Sequence, residues 1–362
     1  MRSRPTPALG ALGANYNEQL TWINHTDLQQ LNARWIRGFI DMHQIDPGNV
    51  LEDRNIQALF KAIDAGYNTI LSFKWNYSER NFPAIGTAAH STELQCLDAV
   101  LRVVLNKVNI LVIGNEPFIE VQAGHADERL NIFYETVAEA VIKFREGNAN
   151  QGFTTPKLYM GAFNRLDLPI KRTPAIERML RFIASRPELE GVDLHPHMPT
   201  LEGHKAMLDF VLSRIRPDQR FLATEFSLVW HWKKHLGDPV SGYFCSKYGF
   251  PAGTKVHQVI STAMRDPWPY TQWVDLLSHE PWYIHCRGFL VNAMAMYRAT
   301  GRLEVATYGL CPMRLRKAPL PVDGNPWMLN SLYAPSTVQP RPDGSRHENF
   351  PWAEEFRMVQ RG

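Results

Sequence analysis

Apolar residues along this chain form short runs, and segments with a different spacing separate them. Clear runs lie at Tyr67–Trp75, Lys157–Asn164 and Arg220–Phe226. Short apolar runs bounded by turn residues are typical of strands that are buried on both faces of a parallel sheet. The segment Arg54–Ala65 instead repeats its apolar residues at the period of a helix: Ile56, Leu59, Phe60 and Ile63.

This alternation of strand and helix continues from Ala8 to Tyr333 with no change of composition that would mark a second domain. Alternation of this kind predicts a mainly parallel sheet. Eight strands can be placed, at Leu9–Asn15, Ala33–Asp41, Tyr67–Trp75, from Asn109 onward, and at Lys157–Asn164, Gly191–His197, Arg220–Phe226 and Leu303–Leu310. The predicted fold class is therefore α/β, a single (β/α)₈ TIM barrel domain over residues 1–336.

The remaining segments complete this barrel. Further helices are predicted at Ser91–Leu105, Phe289–Tyr297 and, as the last one, near Pro326–Tyr333. The stretch Trp230–Thr254 is rich in Gly, Pro and aromatic residues, and we predict a long loop that forms a lid or a cleft wall. Residues 337–362 are predicted to be a C-terminal tail that docks on the barrel through its aromatic side chains.

Two of the predicted strands end on a glutamate. The run Ile110–Phe118 contains Glu116, and the run Phe221–Phe226 contains Glu225. In a β/α barrel, the C-terminal ends of the strands display the reactive groups. Cleavage of a glycosidic bond needs one carboxyl group to protonate the departing oxygen, and retaining enzymes need a second one, about 5 Å away, to trap the anomeric carbon. The pair therefore points to glycoside hydrolysis.

The local sequences around these glutamates resemble those of the clan A glycoside hydrolases. The resemblance rests on the tetrad Gly114-Asn115-Glu116-Pro117 and on the strand end Thr224-Glu225-Phe226. It implies a retaining, double-displacement enzyme in which Glu116 is the acid/base and Glu225 is the nucleophile. It further implies that Asn115 bonds the sugar 2-hydroxyl and that Arg37, on strand two, orients the nucleophile.

Within that clan, the chain is most similar to the family 39, β-xylosidase-type enzymes. The similarity lies in the Arg-Gly-Phe of strand two, the histidines of strand six and the run Trp327–Tyr333. Members of that family usually add a β-sandwich domain, and no residues remain here to build one. The expected substrate is a β-linked, or equivalent α-L-linked, glycoside. Two alternatives stay open: an endo-acting glycanase or transglycosylase of the same clan, and a barrel that binds carbohydrate without catalysis.

Other polar and aromatic residues near strand ends are candidates for substrate contact. His195 and His197 close strand six and are expected near the substrate or the nucleophile. Tyr308 stands where clan members usually carry a tryptophan under the sugar ring. Further candidates are Lys74, Trp75, Asn164 and Trp230, with Trp232 and Trp282 as additional rings that could stack on a sugar.

A metal site is the rival interpretation of strand six. Alternation places Asp193, His195 and His197 on one face, and carboxylate and imidazole groups suit zinc or iron. Three ligands on one strand are crowded, however, and the sequence has no second cluster such as HExxH to complete the set. We therefore expect no metal and no cofactor; loss of activity on chelation would favour the rival.

Charge and composition limit the classes of partner that the protein is expected to bind. The net charge is +3, with 39 Lys+Arg against 36 Asp+Glu, so no strong overall field attracts nucleic acid or an anionic membrane. The four cysteines show no CxxC spacing, which argues against structural disulfides and a zinc knuckle. Pro5 and Pro7 interrupt the charged N-terminus, so no export signal is predicted. We expect a soluble, cytoplasmic monomer that binds carbohydrate, or a periplasmic or secreted one if a signal has been removed.

Overall fold

A computed structural model describes residues 9–149, 156–311 and 318–361 of the chain. Its sheet is a closed barrel of parallel strands in sequential order. The strands are β1 (Ala11–Asn15), β2 (Trp35–Asp41), β3 (Asn68–Lys74), β4 (Ile110–Ile113), β5 (Lys157–Asn164), β6 (Gly191–His195), β7 (Arg220–Ala223) and β8 (Leu303–Gly309). Each lies within the apolar run that predicted it, and the (β/α)₈ TIM barrel is confirmed.

Helices cover the outside of the barrel. They are α1 (His25–Gln30), α2 (Arg54–Asp64), α3 (Ala88–Val104), α4 (Glu128–Gly147), α5 (Pro174–Ser185), α6 (Leu201–Leu212), α7 (Val229–Lys234), α8 (Gly242–Tyr248), α9 (Val256–Arg265), α10 (Tyr270–His279), α11 (Pro281–Ile284), α12 (Phe289–Ala299) and α13 (Trp352–Arg361). Among the helices of the described ranges, none combines the length and the apolar composition that a bilayer-crossing segment needs.

The helix predicted near Pro326–Tyr333 was wrong. The segment forms only a 3₁₀ turn at Trp327–Asn330 and then becomes extended. The backbone N–H groups of Leu332 and Tyr333 donate to Gly309 and Leu310, at 2.9 Å each. Pairing with the end of β8 therefore overrides the helical spacing of the apolar residues.

The prediction of one long loop at Trp230–Thr254 was wrong in part, because about half of that stretch is helical. It contains α8 and nearly all of α7. The Ser241 hydroxyl accepts the N–H of Phe244 at the start of α8, and Gly249 ends that helix with a left-handed φ of 73°. Gly249, one of the glycines that suggested a loop, is therefore a helix cap.

Residues beyond 337 close the outer ring of helices. α13 packs on α12, and its Glu355 accepts backbone N–H groups of Gly288 and Leu290 at the start of α12. Gln360 donates to the Leu12 carbonyl of β1 at 2.6 Å, and the buried Trp352 donates to the Leu329 carbonyl at 2.7 Å. β8 is thus followed by α13, a helix that contacts both α12 and β1.

The two ends of the barrel interior differ in character. Apolar side chains fill the part nearer the N-terminal ends of the strands: Trp35, Ile70, Ile110, Val112, Tyr159, Leu222 and Val305. At the N-terminal mouth, Glu304 pairs with Lys157 at 2.6 Å. At the opposite, C-terminal mouth, buried polar side chains replace the apolar ones, and this is the end where a barrel carries its chemistry.

Candidate active site

The turn after β4 directs Glu116 into the C-terminal mouth. Gly114 has a left-handed φ of 107°, and an added Cβ there would lie 3.1 Å from the Gly161 carbonyl oxygen, so glycine is required. Glu116 itself has φ 47°, which is uncommon and costly for a residue with a side chain. The protein thus tolerates backbone strain to present this carboxyl group.

Arg37 binds Glu225 from inside the barrel. This arginine is fully buried, and its Nη1 donates to Glu225 Oε1 at 2.6 Å and to the Oδ1 atoms of Asn15 and Asn17 at 3.2 Å each. Its Nη2 donates to Asn115 Oδ1 at 2.5 Å. The structure therefore brings Arg37 to the glutamate that it was predicted to orient, and Asn115 still has its Nδ2 to donate to a substrate hydroxyl.

The surroundings of Glu225 keep it ionised. Burial raises the pKa of this carboxyl. The positive charges of His195 and Arg37 and a hydrogen bond from His197 lower it by more than burial raises it, so the pKa lies well below the usual 4.5. His197 Nε2 lies 3.5 Å from Glu225 Oε2, while its Nδ1 is 2.7 Å from the Ser227 hydroxyl. An anionic carboxylate is the form that a nucleophile needs.

Two donors hold one oxygen of Glu116. Asn164 Nδ2 donates to Oε1 at 2.9 Å, and His195 Nδ1 lies 3.0 Å from the same atom. A bulge in β5 at Ala162, which has φ 64°, adjusts the strand so that Asn164 lies opposite His195. With Oε1 held in this way, Oε2 is the oxygen available to a substrate.

A chain of hydrogen bonds fixes the orientation of the His195 ring. The Thr224 hydroxyl donates to Asp193 Oδ2 at 2.6 Å, and the same hydroxyl lies 2.9 Å from His195 Nε2. Because a hydroxyl has one proton to donate, it must accept from His195, which therefore carries a proton on Nε2. His195 Nδ1 and Glu116 Oε1 then share the proton that remains between them.

The electrostatics favour that proton on His195. Burial lowers the pKa of His195, but the charges of Glu225, Glu116 and Asp193 outweigh it, and the net pKa is raised above 6.5. Burial raises the pKa of Glu116, but the hydrogen bond and charge of His195 outweigh it, and the net pKa falls below 4.5. The two groups therefore titrate as a pair.

This coupling can be measured by histidine NMR titration. In the unmodified protein, we expect the His195 ring to titrate above pH 6.5, because Glu225 is the largest influence raising its pKa. In Glu225→Gln that negative charge is gone, so the imidazolium loses stabilisation and its pKa must fall. The His195 signal is assigned as the one that is missing from the spectrum of His195→Gln. An unchanged His195 titration in Glu225→Gln would contradict this electrostatic account.

The site groups four potential metal ligands, which share only the two histidines with the trio considered from the sequence. One ligand atom from each of Glu116, His195, His197 and Glu225 lies within 4.8 Å of the others. Asp193 is outside this group, and its oxygens accept from Thr224 and from the Leu194 N–H. A cation bound here would compete with Arg37 for Glu225 Oε1, and the donor set fits an arginine-held nucleophile better than a metal centre.

Trp75 and Tyr308 do not reach the cleft. Trp75 is buried and packs edge-on against Phe133 and Tyr134 of α4. Tyr308 is buried on the helix side of β8, because its neighbour Thr307 is the residue that points inward and bonds the Thr224 carbonyl. The predictions that these two rings contact substrate were wrong. Trp232 is fully buried as well.

Sequence reasoning missed several residues that lie beside Glu225. Trp327, in the 3₁₀ turn after β8, has its ring 5.0 Å from that of His197 and lines a small cavity with Glu225, Asn15 and Asn17. Asn15 ends β1, so the strand-end criterion that selected Glu116 would have found it. Trp327 carried no such signal because its segment was interpreted as a helix.

The outer rim contains the remaining predicted contacts. Lys74 pairs with Glu120 at 2.7 Å. Burial and the charges of Glu116 and Glu225 raise the pKa of Glu120 to about 7 although Lys74 opposes them. Trp230 is half-buried and has cations close to its ring. Substrate contact by Lys74 and Trp230 stays a prediction.

Comparison with known proteins gives fold neighbours only. No protein-family model and no curated protein sequence matches the chain. Among solved structures, it is similar to the catalytic domain of a GH53 protein from Ignisphaera aggregans (15% identity, 98% of this chain and 97% of that one, TM-score 0.52). It is also similar to a GH10 endoxylanase from a sugarcane soil metagenome (12% identity, 97% of each chain, TM-score 0.55). A third similar structure is described as that of two fungal β-1,4-galactanases (11% identity, 98% of this chain and 100% of that one, TM-score 0.55).

These neighbours are (β/α)₈ glycoside hydrolases of low sequence identity. They establish that the chain has the same barrel fold. Function does not follow from the fold alone, because one barrel supports many chemistries. The similarity to family 39 enzymes stays a prediction.

Proposed function

We propose that the protein is a retaining glycoside hydrolase in which Glu225 is the nucleophile and Glu116 the acid/base. The observation that carries the proposal is the pair of carboxylates at the ends of β4 and β7, whose nearest oxygens are no more than 4.8 Å apart. Retaining enzymes hold the two groups about 5 Å apart, whereas inverting enzymes leave roughly 6.5 to 9.5 Å for a water molecule. The short separation supports double displacement.

In the first step, Glu225 attacks the anomeric carbon while Glu116 protonates the departing oxygen. Arg37 fixes the direction of attack through its 2.6 Å bond to Oε1. Glu116 must carry a proton in this step, although the hydrogen bond and charge of His195 lower its pKa. A bound sugar excludes water from the carboxyl and thereby favours its neutral form, so we propose that substrate binding protonates Glu116.

The second step reverses the role of Glu116. The negative charge of Glu225 is one of the influences that raise the pKa of Glu116. Once Glu225 forms an ester with the sugar, that charge disappears and the pKa of Glu116 falls. Glu116 then accepts a proton from the water that hydrolyses the ester. The same pair of groups can thus serve both steps.

The substrate is proposed to be a β-linked glycoside or its α-L equivalent. A β-xylosidase-like specificity is the finer hypothesis, and it rests on the sequence resemblance. The endoxylanase and β-1,4-galactanase neighbours make an endo-acting glycanase the alternative. Hydrolysis of aryl xylosides, glucosides, galactosides and arabinosides, compared with xylo-, galacto- and manno-oligosaccharides, separates the two. Binding without hydrolysis throughout this panel would favour a non-catalytic barrel.

The acid/base assignment predicts a dependence on the leaving group. In Glu116→Ala, a dinitrophenyl glycoside still loses its leaving group, because that group departs without a proton. An alkyl glycoside or an oligosaccharide should lose about 10²- to 10⁴-fold in kcat/KM. Glu120→Gln, four residues away, is the matched control and should show no such dependence. Transfer of the pattern to Glu120→Gln would assign the acid to Glu120 instead.

A further inference from the structure

Two cations meet on the ring of Trp230 at the edge of the site. The Arg165 guanidinium carbon lies 5.2 Å from the ring centroid, and Lys233 Nζ lies 5.1 Å from it. Arg165 follows β5, whereas Trp230 and Lys233 belong to α7. Cation–π attraction favours these positions, so the ring helps to preorganise the two long side chains. We call Arg165, Trp230 and Lys233 the cationic rim.

The cationic rim lies on the Glu116 side of the site. Arg165 directly follows Asn164, which donates to Glu116 Oε1 at 2.9 Å. The backbone of Arg165 has a left-handed φ of 53°, a costly conformation for a residue with a side chain. Because Glu116 must contact the oxygen of the departing group, the part of the substrate nearest to the rim is the leaving group.

The rim carries one positive charge more than its single carboxylate partner, Asp167, compensates. Asp167 pairs with Nε and Nη2 of Arg165, so Nη1 is outside that pair. Lys233 donates to the neutral amide oxygen of Asn325 at 3.1 Å, and among the described residues no carboxylate pairs with it.

We propose that the cationic rim binds an anionic substituent, a carboxylate or a sulfate ester, on the leaving-group portion of the glycan. This inference rests on the proposed glycosidase function and adds a substrate class to it. Arginine and lysine donors suit both anions, and the partly buried setting strengthens the interaction relative to open solvent. Trp230 acts here as a support for the two cations rather than as an open platform for a sugar face.

The test is calorimetric binding of matched glycans to Glu225→Gln, in which turnover is blocked. The probes are β-1,4-linked xylo-, galacto- and manno-oligosaccharides, each in a neutral form, a form carrying a uronic acid and a form carrying a sulfate ester. We expect at least one acidic form to bind about tenfold or more tightly than its neutral partner, and this preference should shrink at high salt. The uronate and sulfate arms distinguish the two sources of charge.

Variants then locate the preference. Adding Arg165→Met or Lys233→Met should remove most of the advantage of the acidic form and leave neutral binding nearly unchanged. Lys234→Met is the matched control, since this exposed neighbour is not part of the rim and should keep the preference. Equal binding of neutral and acidic forms, equal losses for both in the rim variants, or no binding of any acidic form would each overturn the proposal.

The outcome is separable from that of the proposed function. Hydrolysis of aryl glycosides with no charge preference would leave the glycosidase standing and remove the anionic subsite. An acidic preference that depends on Arg165 and Lys233, without hydrolysis of any substrate, would support the anionic subsite and remove the proposed glycosidase.

Discussion

Glu225→Gln is expected to abolish hydrolysis, with kcat lower by on the order of 10⁵-fold, the scale of losing a catalytic nucleophile. The substitution preserves the size of the side chain but removes the charge that must attack the anomeric carbon. In the structure, Arg37 and the two histidines of β6 and its following turn all favour that charge. The measurement is kcat on the best substrate of the panel, with circular dichroism to verify folding.

Azide adds a stereochemical test of the same residue. In Glu225→Ala, azide can enter the space left by the carboxylate and attack from that face, so the expected product is a glycosyl azide of inverted configuration. Glu304→Gln is the control, because Glu304 is also a buried, ion-paired glutamate but lies at the opposite mouth of the barrel. Activity that survives Glu225→Ala, or rescue by azide in the Glu304 variant alone, would overturn the assignment of the nucleophile.

The sequence was sufficient for the barrel and for the centre of the site. All eight strands are buried on both faces, so each appears as an apolar run, and a polar residue at the end of such a run is conspicuous. Glu116 and Glu225 were selected in this way, whereas Arg37, which lies inside β2, was selected from the resemblance to clan A enzymes. Their mutual contacts, separated by up to 188 positions in the chain, follow once the barrel closes.

The edges of the site were not predictable in the same way. Whether Tyr308 or Thr307 faces inward depends on strand register, and a shift of one residue exchanges the two faces. Trp327 lies on an irregular turn whose path is fixed by backbone bonds from Leu332 and Tyr333 to the end of β8. Tertiary contacts of this kind leave no periodic signal in the sequence.

Arg37→Met should have the second large effect, on both stability and activity. Removing one partner of a buried ion pair leaves Glu225 without its cation, which typically costs about 3–5 kcal/mol of unfolding free energy. We expect kcat/KM to fall on the order of 10³-fold, comparable to the loss of a preorganised charged donor. Since Arg37 lowers the pKa of Glu225, its removal must raise that pKa, and the acidic limb of the kcat/KM profile should move to higher pH. Denaturant unfolding and the pH profile measure these effects.

A double-mutant cycle separates the ion pair from general damage to the core. Glu225→Gln added to Arg37→Met removes the uncompensated charge, so the double variant should recover part of the stability that Arg37→Met lost. Arg102→Met is the control, because Arg102 pairs with Asp98 on an exposed helix face and should cost no more than about 1 kcal/mol. Additive losses in the cycle would mean that Arg37 supports the barrel mouth without sensing the charge of Glu225. Recovery in the double variant, together with the shift of the acidic limb, would instead tie the buried arginine to the ionised nucleophile.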